Sequence, residues 1–219
     1  WKDNLRIAWF GCFLTGASIS LVVPFMPIFV EQLGIEGDQV AFYPGLAISV
    51  SAISAAFVSP IWGILADKYG RKPMMIRAGL AMTITMGGLA FVPNVFWLLF
   101  LRFLNGVFTG FVPNATALIA SQVPKEKSGY ALGTLSTGVV AGTLTGPFVG
   151  GLIAEFFGIR NVFLLVGIFL FLAAVLTILF IKEDFQPVPK EKALPTKELF
   201  TSVKYPFLLI NLFLTSFVI

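Results

Sequence analysis

The chain has 219 residues, 57% of them hydrophobic and only 12% charged, with a formal net charge of +4 and no histidine. Soluble domains carry about 25% charged residues, so this composition, with a mean hydropathy of +0.91, describes an integral membrane protein. Without histidine there is no His-based metal site and no Ser-His-Asp triad, and the single Cys12 leaves no disulfide framework or redox motif. The 24 phenylalanines against 4 tyrosines suit helices that face lipid.

A membrane-spanning helix needs about 20 apolar residues. Six runs meet that length, at 7–29, 42–66, 74–92, 96–120, 130–154 and 162–181, and a seventh begins at Pro206. None alternates as a barrel strand would, so all are expected to be helices. The first is too long for the apolar core of a signal peptide and is expected to be a true span. The chain begins at Trp1 and stops at Ile219 within an apolar run, so a piece of a longer protein is expected.

Within span one, Pro24-Phe25-Met26-Pro27 should bend the helix. The aromatic and thioether side chains of this segment can line an apolar cavity or face lipid. No Asp or Glu lies between Ile7 and Val30.

After span two comes Gly63-Ile64-Leu65-Ala66-Asp67-Lys68-Tyr69-Gly70-Arg71-Lys72. This turn packs one carboxylate, three cations and two glycines into ten residues, and its charges must face water or one another at the membrane surface. Asp67 ends a helix, where its charge opposes the negative end of the macrodipole. Its partner is therefore Lys68, Arg71 or the N-terminus of another helix. Gly70 permits a reversal that a residue with a Cβ resists.

Span four carries Arg102 about 9 Å from one membrane edge, where a cation is costly and marks a functional site by default. Leu98, Arg102, Gly106 and Gly110 recur every four residues, with Asn105 on a neighbouring face. The glycines allow a second backbone to approach. Span five carries Gly138, Gly142, Gly146, Pro147, Gly150 and Gly151. Its glycines make a small-residue groove, and Pro147 frees the carbonyl of Thr143, so a bend is expected there.

The end of span five, Gly151 to Arg160, repeats the pattern of Gly63 to Lys72 at an offset of 88 residues: glycine, two apolar residues, alanine, an acid, an aromatic, glycine and a base. The two copies fall at opposite ends of antiparallel spans, as a three-plus-three inverted repeat would leave them. Thirteen of the fifteen Lys and Arg residues lie at the N-terminus, in the even loops with their margins, or after span six. By the positive-inside rule those segments are cytoplasmic. Residues 182–205 are rich in Pro, Lys and Glu and read as a cytoplasmic linker between a six-helix unit at 1–181 and the start of a second at 206–219.

The turn after span two resembles the signature between spans two and three of the major facilitator superfamily of secondary transporters. Span four, with Asn105 where glutamine is usual, resembles the superfamily's motif in which the arginine is linked to proton coupling. The segment G-x3-G-P-x2-G-G, with Gly142, Gly146, Pro147, Gly150 and Gly151, resembles the antiporter motif of its drug:proton exchangers. The prolines of span one resemble the drug-exporting branch as well.

These resemblances imply an all-α membrane fold of two six-helix bundles, of which this chain is the N-terminal one. They imply a transporter, not an enzyme, that exports small amphipathic compounds for protons without a cofactor. Its partners would be the small-molecule substrate, protons, membrane lipid and the second six-helix half, with no nucleic acid, and it would work as a monomer in a bacterial cell membrane. Gly63, Asp67, Lys68, Gly70, Arg71 and Lys72 would form a conformational switch. Arg102, Asn105 and Gly106 would serve proton coupling, the span-five segment would supply a bend, and Pro24, Phe25, Met26 and Pro27 are cavity candidates. The missing carboxylate of span one leaves three options: an acid in the second half, a group at the membrane edge such as Glu31, Asp67 or Glu155, or no proton exchange. A nutrient symporter of the same superfamily and a polytopic receptor are the alternative readings.

Overall fold

A computed structural model describes residues 1–185 of the chain. Those residues form one unit with six helices long and apolar enough to cross a membrane, and no strand is found among them. Span one is α1 (Lys2–Val22) and α2 (Met26–Gln32), joined by a 3-10 turn at Val23–Phe25. Spans two and three are α3 (Gln39–Tyr69) and α4 (Arg71–Gly87), the latter prolonged by a 3-10 turn at Gly88–Phe91. Span four is α5 (Val95–Phe108) and α6 (Phe111–Gln122), span five is α7 (Ser128–Phe157) and span six is α8 (Ile159–Phe180).

All six expected spans are present, each running past the apolar stretch that announced it at one end or both. Apolar length identifies what the hydrocarbon must cover, whereas polar residues extend the helices into the interfacial region. Fully buried side chains are few on α3 and α7, and Phe57, Leu144, Phe148 and Phe156 are each more than 70% exposed. Such faces suit lipid or another apolar partner and would not suit water.

Span one packs chiefly on span five, span two on span four, and spans three and six on each other. Small residues make the closest approaches possible. A Cβ on Gly79 would come within 2.8 Å of the Ala174 Cβ, and Gly87 and Gly167 face one another backbone to backbone. Residues Lys182–Phe185, the first of the expected linker, pack with this unit. The remainder of the expected linker and the expected start of span seven lie outside the described residues.

Candidate functional site

Three connected places carry the residues singled out in the sequence. The first is the turn between spans two and three. Gly70 ends α3 and precedes α4 with φ 99° and ψ 163°, a conformation that favours glycine. Of the partners open to Asp67, the structure selects Arg71: its Nη2 donates to Asp67 Oδ1 at 2.5 Å, one helical turn along the chain. Lys68 instead lies 5.0 Å from the centre of the Tyr69 ring, and Gly63 faces open space.

The sequence reading missed Glu183. Its Oε1 accepts the backbone N–H of Arg71 and its Oε2 that of Lys72, both at 2.8 Å. A carboxylate thus covers unpaired amides at the positive end of α4. A Cβ on Gly70 would come within 2.8 Å of Glu183 Oε2, so a side chain here would push that carboxylate aside, while the positive φ is what calls for glycine. Lys72 returns the favour, donating from Nζ to the carbonyls of Ile181 at 2.6 Å and Ile178 at 3.1 Å, at the negative end of α8. Beside this pair, Asn4 donates to Gln122 Oε1 and to the carbonyl of Lys182, and accepts from the Lys182 amide. The ends of spans one, four and six and the start of span three are thereby tied into one polar knot. Only tertiary packing brings Glu183 here; by composition it belonged to a linker.

The second copy of the repeat has the same backbone. Gly158 adopts φ 85° and ψ 161° and donates to Ala154 at 3.0 Å, as Gly70 donates to Ala66 at 2.9 Å. Arg160, in register with Lys72, donates to the carbonyls of Ala90 at 2.9 Å and Val92 at 3.3 Å, at the far end of span three. The charges differ: Ile159 stands where Arg71 stands in the first copy, so Glu155 has no cation one turn on.

The second place is a cavity of about 260 Å³. Arg102 lines it while remaining only 7% exposed. The α5 helix is held against α3 where Ser51 Oγ donates to the carbonyl of Arg102 at 2.8 Å and Ser54 Oγ to that of Phe103 at 3.0 Å. Gly106 sits against Ser51 and Ser54, where a Cβ would overlap both residues. Asn105 Oδ1 accepts from Thr85 Oγ1 at 3.2 Å, so its amide is anchored to span three. The cavity candidates of span one do not line this pocket. Met26 is fully buried in an apolar core with Phe29 and Phe163, Phe25 packs against that core and beside Gly150, and Pro24 and Pro27 are exposed outside the cavity. The 3-10 turn at Val23–Phe25 interrupts the α-helix at the prolines, and span one's share of the pocket wall is Ser18, Ile19 and Val23.

Span four is also broken, which the four-residue spacing of its glycines did not suggest. Gly110 adopts φ 131° between α5 and α6. A broken span must satisfy its backbone groups internally. Three side chains do this: Trp62 Nε1 donates to the Val107 carbonyl at 2.7 Å, Arg77 Nη2 to that of Thr109 at 3.2 Å, and Asn114 Nδ2 to that of Gly110 at 2.7 Å. The Arg77 guanidinium lies 3.4 Å from the centre of the Trp62 ring, a stacked cation–π arrangement. Gly110→Ala forces a side chain into this left-handed backbone at a cost of about 1–2 kcal/mol. The expected result is a lower thermal midpoint for the purified full-length protein, read by the loss of its monodisperse elution peak on heating.

The third place is the groove of α7. Gly138, Gly142, Gly146 and Gly150 are all buried against span one, over the turns from Trp9 to Phe25. Gly151, grouped with them in the sequence, faces open space. The α7 helix runs through Pro147 without interruption. The Thr143 carbonyl, deprived of its helical donor by Pro147, accepts from Ser20 Oγ of span one at 2.7 Å.

The family model described as Major Facilitator Superfamily matches residues 8–219. The chain belongs to that superfamily. It is 88% identical over all 219 residues to the multi-drug resistance efflux pump PmrA of Streptococcus pneumoniae, covering 55% of that protein. It is 49% identical over 220 aligned positions to the multidrug resistance protein MdtG of Proteus mirabilis, covering all of this chain and 55% of that protein. The chain therefore spans about half the length of the curated relatives it matches. Among solved structures it resembles the POT family transporter PepTSo, with a TM-score of 0.75 at 17% identity over 87% of this chain and 40% of that one. The human organic anion transporter MFSD10 gives 0.73 at 17% identity over 90% and 52%. At these identities the two structures speak for the fold alone.

Proposed function

We propose that the full-length protein exports drugs or other small amphipathic compounds in exchange for protons by alternating access. The observation that carries this is the 88% identity, over the whole chain, to a protein named as a multidrug efflux pump. The seating of the span-five glycines on span one, around Pro147, is the local geometry that supports it. Exchange requires two bundles that move as rigid bodies about a shared cavity. Here the knot of Asn4, Gln122, Lys182 and Glu183 and the cation caps of Lys72 and Arg160 make one bundle rigid at both ends. The matched backbone of Gly70 and Gly158, and the reciprocal caps between spans three and six, support a three-plus-three inverted repeat. In this reading the N-terminus and the even loops are cytoplasmic, the membrane is that of a bacterial cell, and the transporter works as a monomer.

Asp67, exposed and paired with Arg71 among the described residues, is the switch group, and Arg102 with Asn105 and Gly106 belongs to the coupling path. Asp67 is 61% exposed, so its ion pair contributes at most about 1 kcal/mol to stability. Asp67→Asn is therefore expected to leave the thermal midpoint nearly unchanged while slowing transport and shifting the balance between open states. Unchanged transport and an unchanged conformational balance, measured by distance labels across the two bundles, would remove Asp67 from the switch.

The reading as a whole is tested with inverted membrane vesicles containing the full-length protein and a pH-sensitive dye. After respiration acidifies the interior, ethidium is added. Ethidium-dependent proton release is expected, and its loss in Arg102→Ala places that residue in the coupling path. No release with any amphipathic drug, with sugar- or amino-acid-dependent proton entry in right-side-out vesicles, would make the protein a symporter.

A further inference from the structure

A groove of about 500 Å³ runs between the first turns of α1 and α7, and the transport reading gives it no task. The α1 helix lines it with Lys2, Arg6, Trp9 and Phe10, and α7 with Tyr130 and Thr134. Four-residue spacing places Lys2, Arg6 and Phe10 in one stripe of α1. Phe10 lies about 12 Å further along the helix than Lys2, so the groove grades from cationic at the helix start to apolar further in. None of the described lining residues is acidic. Arg6 pairs with Asp3 at 3.6 Å, but the two side chains are 79% and 89% exposed. Water screens such a pair and leaves the guanidinium available to an anion in the groove. The turn before Tyr130 adds Lys125 and Lys127 against Glu126.

The aromatic wall is held in place. Trp9 Nε1 donates to Thr137 Oγ1 of α7 at 3.0 Å, and its ring meets Phe10 edge to face and stacks on Phe13. Phe10 and Tyr130 are both exposed, and Trp and Tyr rings concentrate where a membrane meets water. The groove also faces away from the cavity beside Arg102. Phe10 and Ile19 are nine residues apart on α1, about 180° of helical turn, and Ile19 lines that cavity. In the transporter reading the cavity is shared with the second half, so the groove on the opposite side of α1 is turned toward lipid.

We propose that this groove is a binding site for an anionic phospholipid. Lys2 and Arg6 hold the headgroup phosphate, the Tyr130 ring sits at the interface, and an acyl chain runs inward along Trp9 and Phe10. The planar fork of arginine matches phosphate geometry, and ionised hydrogen bonds of this kind are the strong ones. Choosing lipid over the second half as the occupant rests on the transporter reading; the charge and shape of the groove do not.

The test is native mass spectrometry of purified full-length protein with equal amounts of phosphatidylglycerol and phosphatidylcholine of the same acyl chains. Wild-type protein is expected to retain a first phosphatidylglycerol at least about tenfold more readily than phosphatidylcholine, as two cations at a membrane surface would give. Lys2→Gln with Arg6→Gln should abolish that preference. Lys125→Gln with Lys127→Gln removes the same charge from the adjoining turn and should keep it. Phe10→Ala should weaken retention of both lipids without changing their ratio. Equal retention of the two lipids by wild-type protein would mean that another part of the full-length chain fills the groove, and would overturn the proposal. A preference that survives Lys2→Gln with Arg6→Gln would overturn it too. So would an equal loss in the Lys125 and Lys127 variant, since the charge would then act from the surface as a whole. Where the first double variant fails to fold, Arg6→Gln alone, expected to lower the ratio about threefold, decides. Ethidium-driven proton release in vesicles, measured separately, tests export alone and can fail while the lipid preference stands.

Discussion

Gly142→Leu is expected to prevent the bundle from assembling. A Cβ at this position would fall onto the carbonyl of Phe13 and within 2.7 Å of the Ala17 nitrogen. Both are backbone atoms of a buried helix, and neither can rotate aside. The neighbouring contacts leave no room for the helices to slide: Cβ atoms at Gly138 and Gly146 would come within 2.8 Å of the Trp9 carbonyl and 2.7 Å of the Ala17 carbonyl, and one at Gly16 within 2.6 Å of the Val139 carbonyl. Overpacking a tolerant core costs about 1–3 kcal/mol; a rigid backbone-to-backbone contact lies at or beyond the upper end. The measurement is the yield of monodisperse full-length protein by fluorescence-detected size exclusion, expected to fall to the aggregate peak. Gly151→Ala is the paired control. It belongs to the same sequence motif but meets nothing within 4 Å, and its yield should match that of wild type. Equal behaviour of the two variants would mean that the motif acts as a whole and not through the span-one contact.

Glu183→Lys is expected to have the second-largest effect, on thermal stability. The native carboxylate accepts two amides at the start of span three, and a cation there would meet the positive end of that helix beside Arg71 and Lys72. Losing a cap alone costs about 0.5–2 kcal/mol, and the reversed charge adds to it. For a protein of this size about 1 kcal/mol corresponds to a shift of 2–4 °C, so the thermal midpoint should drop by several degrees. Glu183→Gln keeps an acceptor oxygen without the charge and should fall between wild type and Glu183→Lys. If Glu183→Gln and Glu183→Lys both match wild type, the carboxylate has no part in holding the bundle together.

The two substitutions differ in how legible their sites were. The groove of span five could be read from its four-residue spacing, because helical periodicity maps directly onto one face. What the spacing could not separate was Gly142 from Gly151, since that depends on which neighbour covers the face. Glu183 was illegible for a related reason. Its role depends on the end of span six meeting the start of span three, more than a hundred residues earlier, and its local sequence is that of a linker. The same holds for the break in span four: Gly110 continued an apparent period, and only the packing of Trp62 and Arg77 shows that the helix stops there.

The sequence by itself determined that the chain is a membrane protein of six helices with a charged turn after span two, an arginine inside span four and a glycine groove in span five. Those properties follow from transfer free energy and helical period, which act on each segment separately. The tertiary structure alone decided which partners these groups have. It gave Asp67 to Arg71, the α4 amides to Glu183, the Thr143 carbonyl to Ser20, and the wall of the pocket beside Arg102 to Ser18, Ile19 and Val23 of span one. Hydrogen bonds and close packing are pairwise and short-ranged, so their outcome depends on where the helices come to rest against one another.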